Sequence, residues 1–164
     1  MIESKKNTIY SFPPVKGNAP ILLILGSMPG KASLLAGEYY AHPRNVFWKI
    51  LCQVFGSEYH ADYQHRIYLL KSHGIALWDV CRSAIRETSL DSDISAEVPN
   101  DIPAFLRMHP TIKRVAFNGG MPAKLHDKYF ERLSRVTYQT LLSTSPANAG
   151  YTFEEKLNNW RNFF

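Results

Sequence analysis

The run Ile21-Leu22-Leu23-Ile24-Leu25 is apolar at every position and delivers the turn Gly26-Ser27-Met28-Pro29-Gly30. A strand with one wet face alternates polar and apolar residues. A short continuous apolar run reads instead as a strand covered on both faces. Such a strand belongs in a parallel sheet packed between helices, and the turn at its carboxyl end lies where sheets of that kind hold their ligands.

The rest of the chain repeats the pattern. In "NVFWKILCQVF", residues 45–55, the apolar positions Val46, Phe47, Ile50, Leu51, Val54 and Phe55 have helical spacing, and Gly56 ends the run. Residues 62–73 predict a second helix capped by Gly74, and "IALWDV", 75–80, a second strand. Residues 82–99 read as a long polar excursion. Asn100 or Asp101 caps a short helix through Met108. "IKRVAF", 112–117, is the third strand, with Asn118-Gly119-Gly120 as its turn and a helix to about Leu133. "VTYQTLL", 136–142, is the fourth strand, followed by the loop "STSPANAGY". Thr152 with Glu155 forms a capping box for the last helix. The expected fold is a three-layer α/β/α sandwich around a four-stranded parallel sheet, and the carboxyl-end rule gathers the turns 26–30, 79–82, 118–120 and 143–151 at one site.

At 164 residues and 45% hydrophobic, the chain suits a single domain, 1–164, with a proper core. No stretch approaches the roughly 20 apolar residues that span a bilayer, and the N-terminal Met1–Lys6 lacks the apolar run of a secretion signal. The expectation is a soluble, intracellular (cytoplasmic) protein. Cys52 and Cys81 are far apart and form no CxxC pair, and His60 and His65 lack partners at ligand spacing. No disulfide framework, metal or cofactor is therefore expected. The net charge of +5 suits a polyanionic partner, since each phosphate neutralised by Lys or Arg releases counterions.

"GSMPGKAS" is not a phosphate loop. The nucleotide-binding pattern needs four residues between its glycines and Lys directly followed by Ser or Thr. Three separate them here, and Ala32 divides Lys31 from Ser33. Instead, "GSMPG" after the first strand, "YYAHPRNVFW" at 39–48 and "STSPAN" after the fourth strand resemble the uracil-DNA glycosylase superfamily. Within it they are most similar to the hypoxanthine-DNA (deoxyinosine) glycosylase family. The resemblance runs from about Ile21 to Gly150.

The resemblance implies an enzyme that flips a damaged base out of double-stranded DNA and hydrolyses its N-glycosidic bond. Most members place an acid or amide third in the first motif; here that position is Met28. The polar duty then passes to Asn45, which matches an asparagine associated with activity in the hypoxanthine family. An amide both donates and accepts, so it can hold water while touching substrate. The residue type alone equally fits a helix cap, and the two roles can coexist. Phe47 matches the aromatic that stacks on the flipped base, or is a core phenylalanine. Gly26, Ser27 and Met28 line the base pocket. Ser143 takes the place of a histidine in the second motif. Asp79 and Asn118 end strands where relatives read the base edge, although turn chemistry explains both. Arg44, Ser145, Pro146, Ala147, Asn148 and Tyr151 are expected on the DNA. Ala147 and Ala149 are too small to wedge into the base stack, which leaves Tyr151 or Asn148.

The expected function is that of a monomeric, monofunctional glycosylase, DNA-associated and without a strand-cleaving step, since no lysine is placed as a Schiff-base nucleophile. Hypoxanthine is the first substrate expected. Uracil, xanthine or thymine mismatches remain alternatives, as does a catalytically inactive nucleic-acid-binding module.

Overall fold

The computed structural model describes residues 7–164, so the stretch Met1–Lys6 read above for a secretion signal lies outside the described residues. In chain order the elements are β1 (Thr8–Tyr10), β2 (Leu22–Gly26), α1 (Lys31–Ala36), α2 (Phe47–Val54), α3 (Tyr63–Ser72), β3 (Ile75–Asp79), β4 (Cys81–Ile85), β5 (Ser95–Pro99), α4 (Ile102–Met108), β6 (Arg114–Asn118), α5 (Gly120–Tyr129), β7 (Thr137–Leu141) and α6 (Phe153–Phe163).

Four parallel strands form the central sheet in the order β3-β2-β6-β7. Every residue of β2 is buried, as its continuous apolar run requires. Side chains alternate across the pleat, so Leu22 and Ile24 join the cluster under α2, α3 and α6, while Leu23 and Leu25 join the one under α4 and α5. Truncating a fully buried leucine such as Leu23 to alanine would cost about 2–5 kcal/mol. Because β2 sits between β3 and β6, the chain winds one way to β3 and the other way to β6. That reversal opens a crevice at the carboxyl ends of β2 and β6.

Local sequence explains most helix limits. The α2 stripe Phe47, Trp48, Ile50 and Leu51 is buried, and Phe47 meets Trp160 of α6 edge to face. Asp62 caps α3 by accepting from the Gln64 amide, and Asp101 caps α4 through Ala104. Thr152 and Glu155 make the expected capping box on α6.

Three expectations need correction. The polar excursion 82–99 contains β4 and β5, which with β1 form a separate antiparallel sheet in the order β1-β4-β5. Register shifts between Cys81 and Ile85 break the alternation that would have marked β4. The helix α1 was not anticipated. It has six residues and Leu35 on it is almost fully exposed, so it carries no amphipathic signal. Finally, α5 stops at Tyr129 instead of Leu133, because Phe130 turns to extended backbone.

Candidate active site

The crevice holds a cavity of about 590 Å³. Its floor is made where β2 and β3 end side by side, with Gly26 in register with Asp79. A Cβ on Gly26 would lie 2.6 Å from Asp79 Oδ1 and 2.9 Å from the Tyr40 hydroxyl. Glycine is required here for space: any side chain would push the other two groups apart. Asp79 is 3% exposed, and its Oδ2 has no hydrogen-bond partner among the described residues; nor has the Tyr40 hydroxyl. Burial pushes the Asp79 carboxyl up to about 7; Arg86 works against this rise and Asp91 adds to it. Burial likewise raises the Tyr40 phenol well above its usual range, keeping it neutral.

The second motif closes one wall. Asn118 Nδ2 donates to Thr144 Oγ1 at 2.9 Å, and Asn118 Oδ1 accepts from the Thr144 amide at 2.9 Å. This side chain therefore fastens the end of β6 to the loop after β7. Ser143 Oγ accepts from the Ser145 amide at 3.2 Å and abuts Gly119, whose φ of 106° suits only glycine. The Thr144 carbonyl accepts from the Val46 amide at 3.2 Å, so the loop is tied to the start of α2. That bond brings Asn45 to the cavity wall. Asn45 Oδ1 accepts from the Phe47 amide at 3.0 Å in a local turn just ahead of α2, whose N-cap position is Val46 and not Asn45 as the sequence suggested; among the described residues its Nδ2 has no hydrogen-bond partner.

Of the residues expected at the site, Gly26, Ser27, Met28, Asn45, Asp79, Asn118, Ser143, Ser145, Pro146, Ala147, Asn148 and Tyr151 line this one cavity. Two do not. Arg44 is exposed on the loop before α2. Phe47 is fully buried, with its ring centroid 4.1 Å from that of Tyr40. Tyr40 lines the cavity and Phe47, packed against it, does not. The Tyr40 backbone is left-handed, with φ 54°, a strained state for an aromatic residue of the kind that collects at functional sites. Met28 lines the cavity as expected, although it is only 6% exposed and packs into the apolar cluster with Leu25, Val80 and Ala84.

Two charged residues in the cavity wall, Arg86 and Asp91, were not legible beforehand. Arg86 Nη1 donates to the Met28 and Pro29 carbonyls at 3.0 and 3.1 Å, and Ser27 Oγ donates to Asp91 Oδ1 at 2.6 Å. Both come from the β4–β5 connection, whose sequence has no motif that points to the first turn.

The arrangement offers a buried acceptor at the floor, an aromatic face, an amide donor at the wall and a rim of polar loops. Comparison with known proteins agrees with it. The family model for the uracil DNA glycosylase superfamily matches residues 14–163. A hypoxanthine DNA glycosylase of Methanosarcina barkeri is 39% identical over 140 residues, covering 84% of this chain and 86% of that one. A second, from Methanosarcina acetivorans, is 32% identical over 88% of this chain and 89% of its own. The solution NMR structure of a Methanosarcina acetivorans protein assigned as a uracil DNA glycosylase superposes with a TM-score of 0.83 at 29% identity, covering 95% of this chain and 96% of that chain. By fold, motif order and sequence, the chain belongs to the uracil DNA glycosylase superfamily.

Proposed function

We propose that this chain is a monofunctional DNA glycosylase that flips a deaminated base, hypoxanthine foremost, out of double-stranded DNA and hydrolyses its bond to deoxyribose. The observation that carries the reading is the buried Asp79 carboxylate, which lines the cavity and whose Oδ2 lacks a partner among the described residues. A buried acceptor left unpaired in the free protein calls for a donor from the ligand. Hypoxanthine brings an N1–H. Adenine, from which it arises by deamination, presents a lone pair at the same position and is repelled. The names of the two archaeal relatives support the same choice.

In this reading the base stacks on Tyr40, and Asn45 Nδ2 donates to it or to water. As the base departs with the bonding electron pair, the sugar gains oxocarbenium character, and the flanking phosphates together with fixed dipoles stabilise the separated charges. Ser145, Pro146, Ala147 and Asn148 form the DNA-facing lip, and Tyr151, half exposed beside them, is the wedge. No cofactor takes part, and the protein acts as a monomer in an intracellular, DNA-associated role. Among the described residues no helix is long and apolar enough to cross a membrane.

Uracil is the second reading, since its N3–H offers Asp79 the same donor. Single-turnover release of free base from duplexes carrying inosine, uracil, xanthine or unmodified adenine tests both. The expected order puts inosine first and adenine at background. A chain that released uracil faster than hypoxanthine would reverse the assignment.

A further inference from the structure

The hydrolytic step needs an acceptor for the proton of the attacking water. The usual place for it, third in the first turn, holds Met28, whose side chain packs into the core. Asn45 does not fill this need well, because its Oδ1 is engaged by the Phe47 amide. Asp79 lies at the floor, 3% exposed, where the base edge is read.

Asp91 answers the description. Its carboxylate lines the cavity beside the first turn and its side chain is 42% exposed, so solvent water reaches it. Oδ1 is fixed from two sides: Ser27 Oγ donates to it at 2.6 Å, and Arg86 Nη2 at 3.3 Å. Among the described residues Oδ2 has no such bond, so one oxygen anchors the group and the other is free. Arg86 is itself immobilised. It is 4% exposed, and it also donates to the backbone carbonyls of Met28, Pro29, Ser89 and Leu90. The same guanidinium thus locks the turn and the carboxylate to each other, which is how a positioned group keeps its geometry.

We propose that Asp91, brought in by the β4–β5 connection, holds and deprotonates the attacking water in place of the polar residue that the first turn lacks, with Ser27 and Arg86 as its positioning residues. The water oxygen bonds to the sugar C1′ as the C1′–N9 bond breaks, and the electron pair leaves with the base. The water proton passes to Asp91 Oδ2 and from there to the departing base or to solvent, so the carboxylate is regenerated. This proposal rests on the base-excision reading above.

The test uses the full chain and inosine duplex. Asp91→Ala and the isosteric Asp91→Asn should both lose about 10²–10⁴-fold in single-turnover base release. Affinity for the duplex should not fall in either variant, and the thermal midpoint of Asp91→Asn, whose amide oxygen can still accept from Ser27 and Arg86, should stay close to that of wild type. Added formate should restore part of the rate to Asp91→Ala, where it fits the vacated space, and none to Asp91→Asn. Two results would overturn the proposal while leaving base excision intact. One is wild-type turnover in both variants. The other is loss of turnover that merely follows lost folding or lost DNA binding in both. No base release by the wild-type chain itself would instead remove the underlying reading.

Discussion

Replacing Asp79 by asparagine separates the electrostatic cost of the site from its use. The amide is nearly isosteric with the carboxylate, so packing around Gly26 is preserved. In the folded chain the carboxyl is raised from 3.8 to about 7, chiefly by burial. Between those values the folded protein holds a proton that the unfolded chain has released, so folding stability falls as pH rises from about 4 to about 7 and is flat above. The full rise corresponds to roughly 4 kcal/mol, an upper figure for what charging this group costs. Asp79→Asn removes the ionisation. The variant should be more stable than wild type at pH 8, by up to that amount, and the difference should shrink steadily towards pH 4. Function should move the other way. A charge-assisted hydrogen bond contributes about 1.5–3 kcal/mol, so inosine turnover should fall by roughly 10- to 150-fold. In wild type, inosine-over-adenine selectivity should weaken below about pH 7, where the protonated carboxyl can donate to adenine N1. The assay pairs urea denaturation at pH 5 and pH 8 with single-turnover kinetics on the same preparations. Equal stability of the two proteins at both pH values, with inosine turnover unchanged, would refute the reasoning at both links.

Tyr40→Ala should weaken binding of an uncleavable inosine-analogue duplex by roughly 5- to 150-fold, since base–aromatic stacking contributes about 1–3 kcal/mol. Phe47→Ala should instead lower the urea midpoint, by about 3–5 kcal/mol of stability, because it empties a fully buried site; a fold left intact with stacking lost would restore Phe47 as the stacking residue. Asn45→Ala, which removes both the hydrogen bond to the Phe47 amide and the Nδ2 donor, should cost about 1 kcal/mol in a thermal melt and 10²–10⁴-fold in single-turnover rate, and an unchanged rate would falsify its catalytic assignment. Duplex affinity measured across a salt series should fall with a log–log slope near −0.9 for each phosphate contacted, and a flat series would argue against DNA as the partner of this +5 chain.

The sheet was legible in the sequence because its determinants are local. A fully apolar β2 has only one kind of environment available, and the α2 stripe and the Thr152–Glu155 box declare themselves within a turn or two. The carboxyl-end rule then placed most of the site, since a parallel sheet carries the turns of β2, β3, β6 and β7 to one end whatever the intervening residues are. Packing between distant segments decided the rest. Phe47 and Tyr40 are both aromatic and seven residues apart, and only the packed structure shows that Tyr40, on a left-handed backbone, lines the cavity while Phe47 is buried beside it. Asn118 has the composition of a turn residue or a base reader; its two bonds to Thr144, 26 residues away, make it chiefly a fastener. Arg86 and Asp91 reach the first turn across 58 and 64 residues, through a sheet whose β1–β4 pairing is itself nonlocal. Hydrophobic period and capping are carried by neighbours in the chain, so a sequence displays them. Hydrogen bonds between remote loops exist only once the core has brought those loops together, and the polar chemistry around Met28 is built from such bonds.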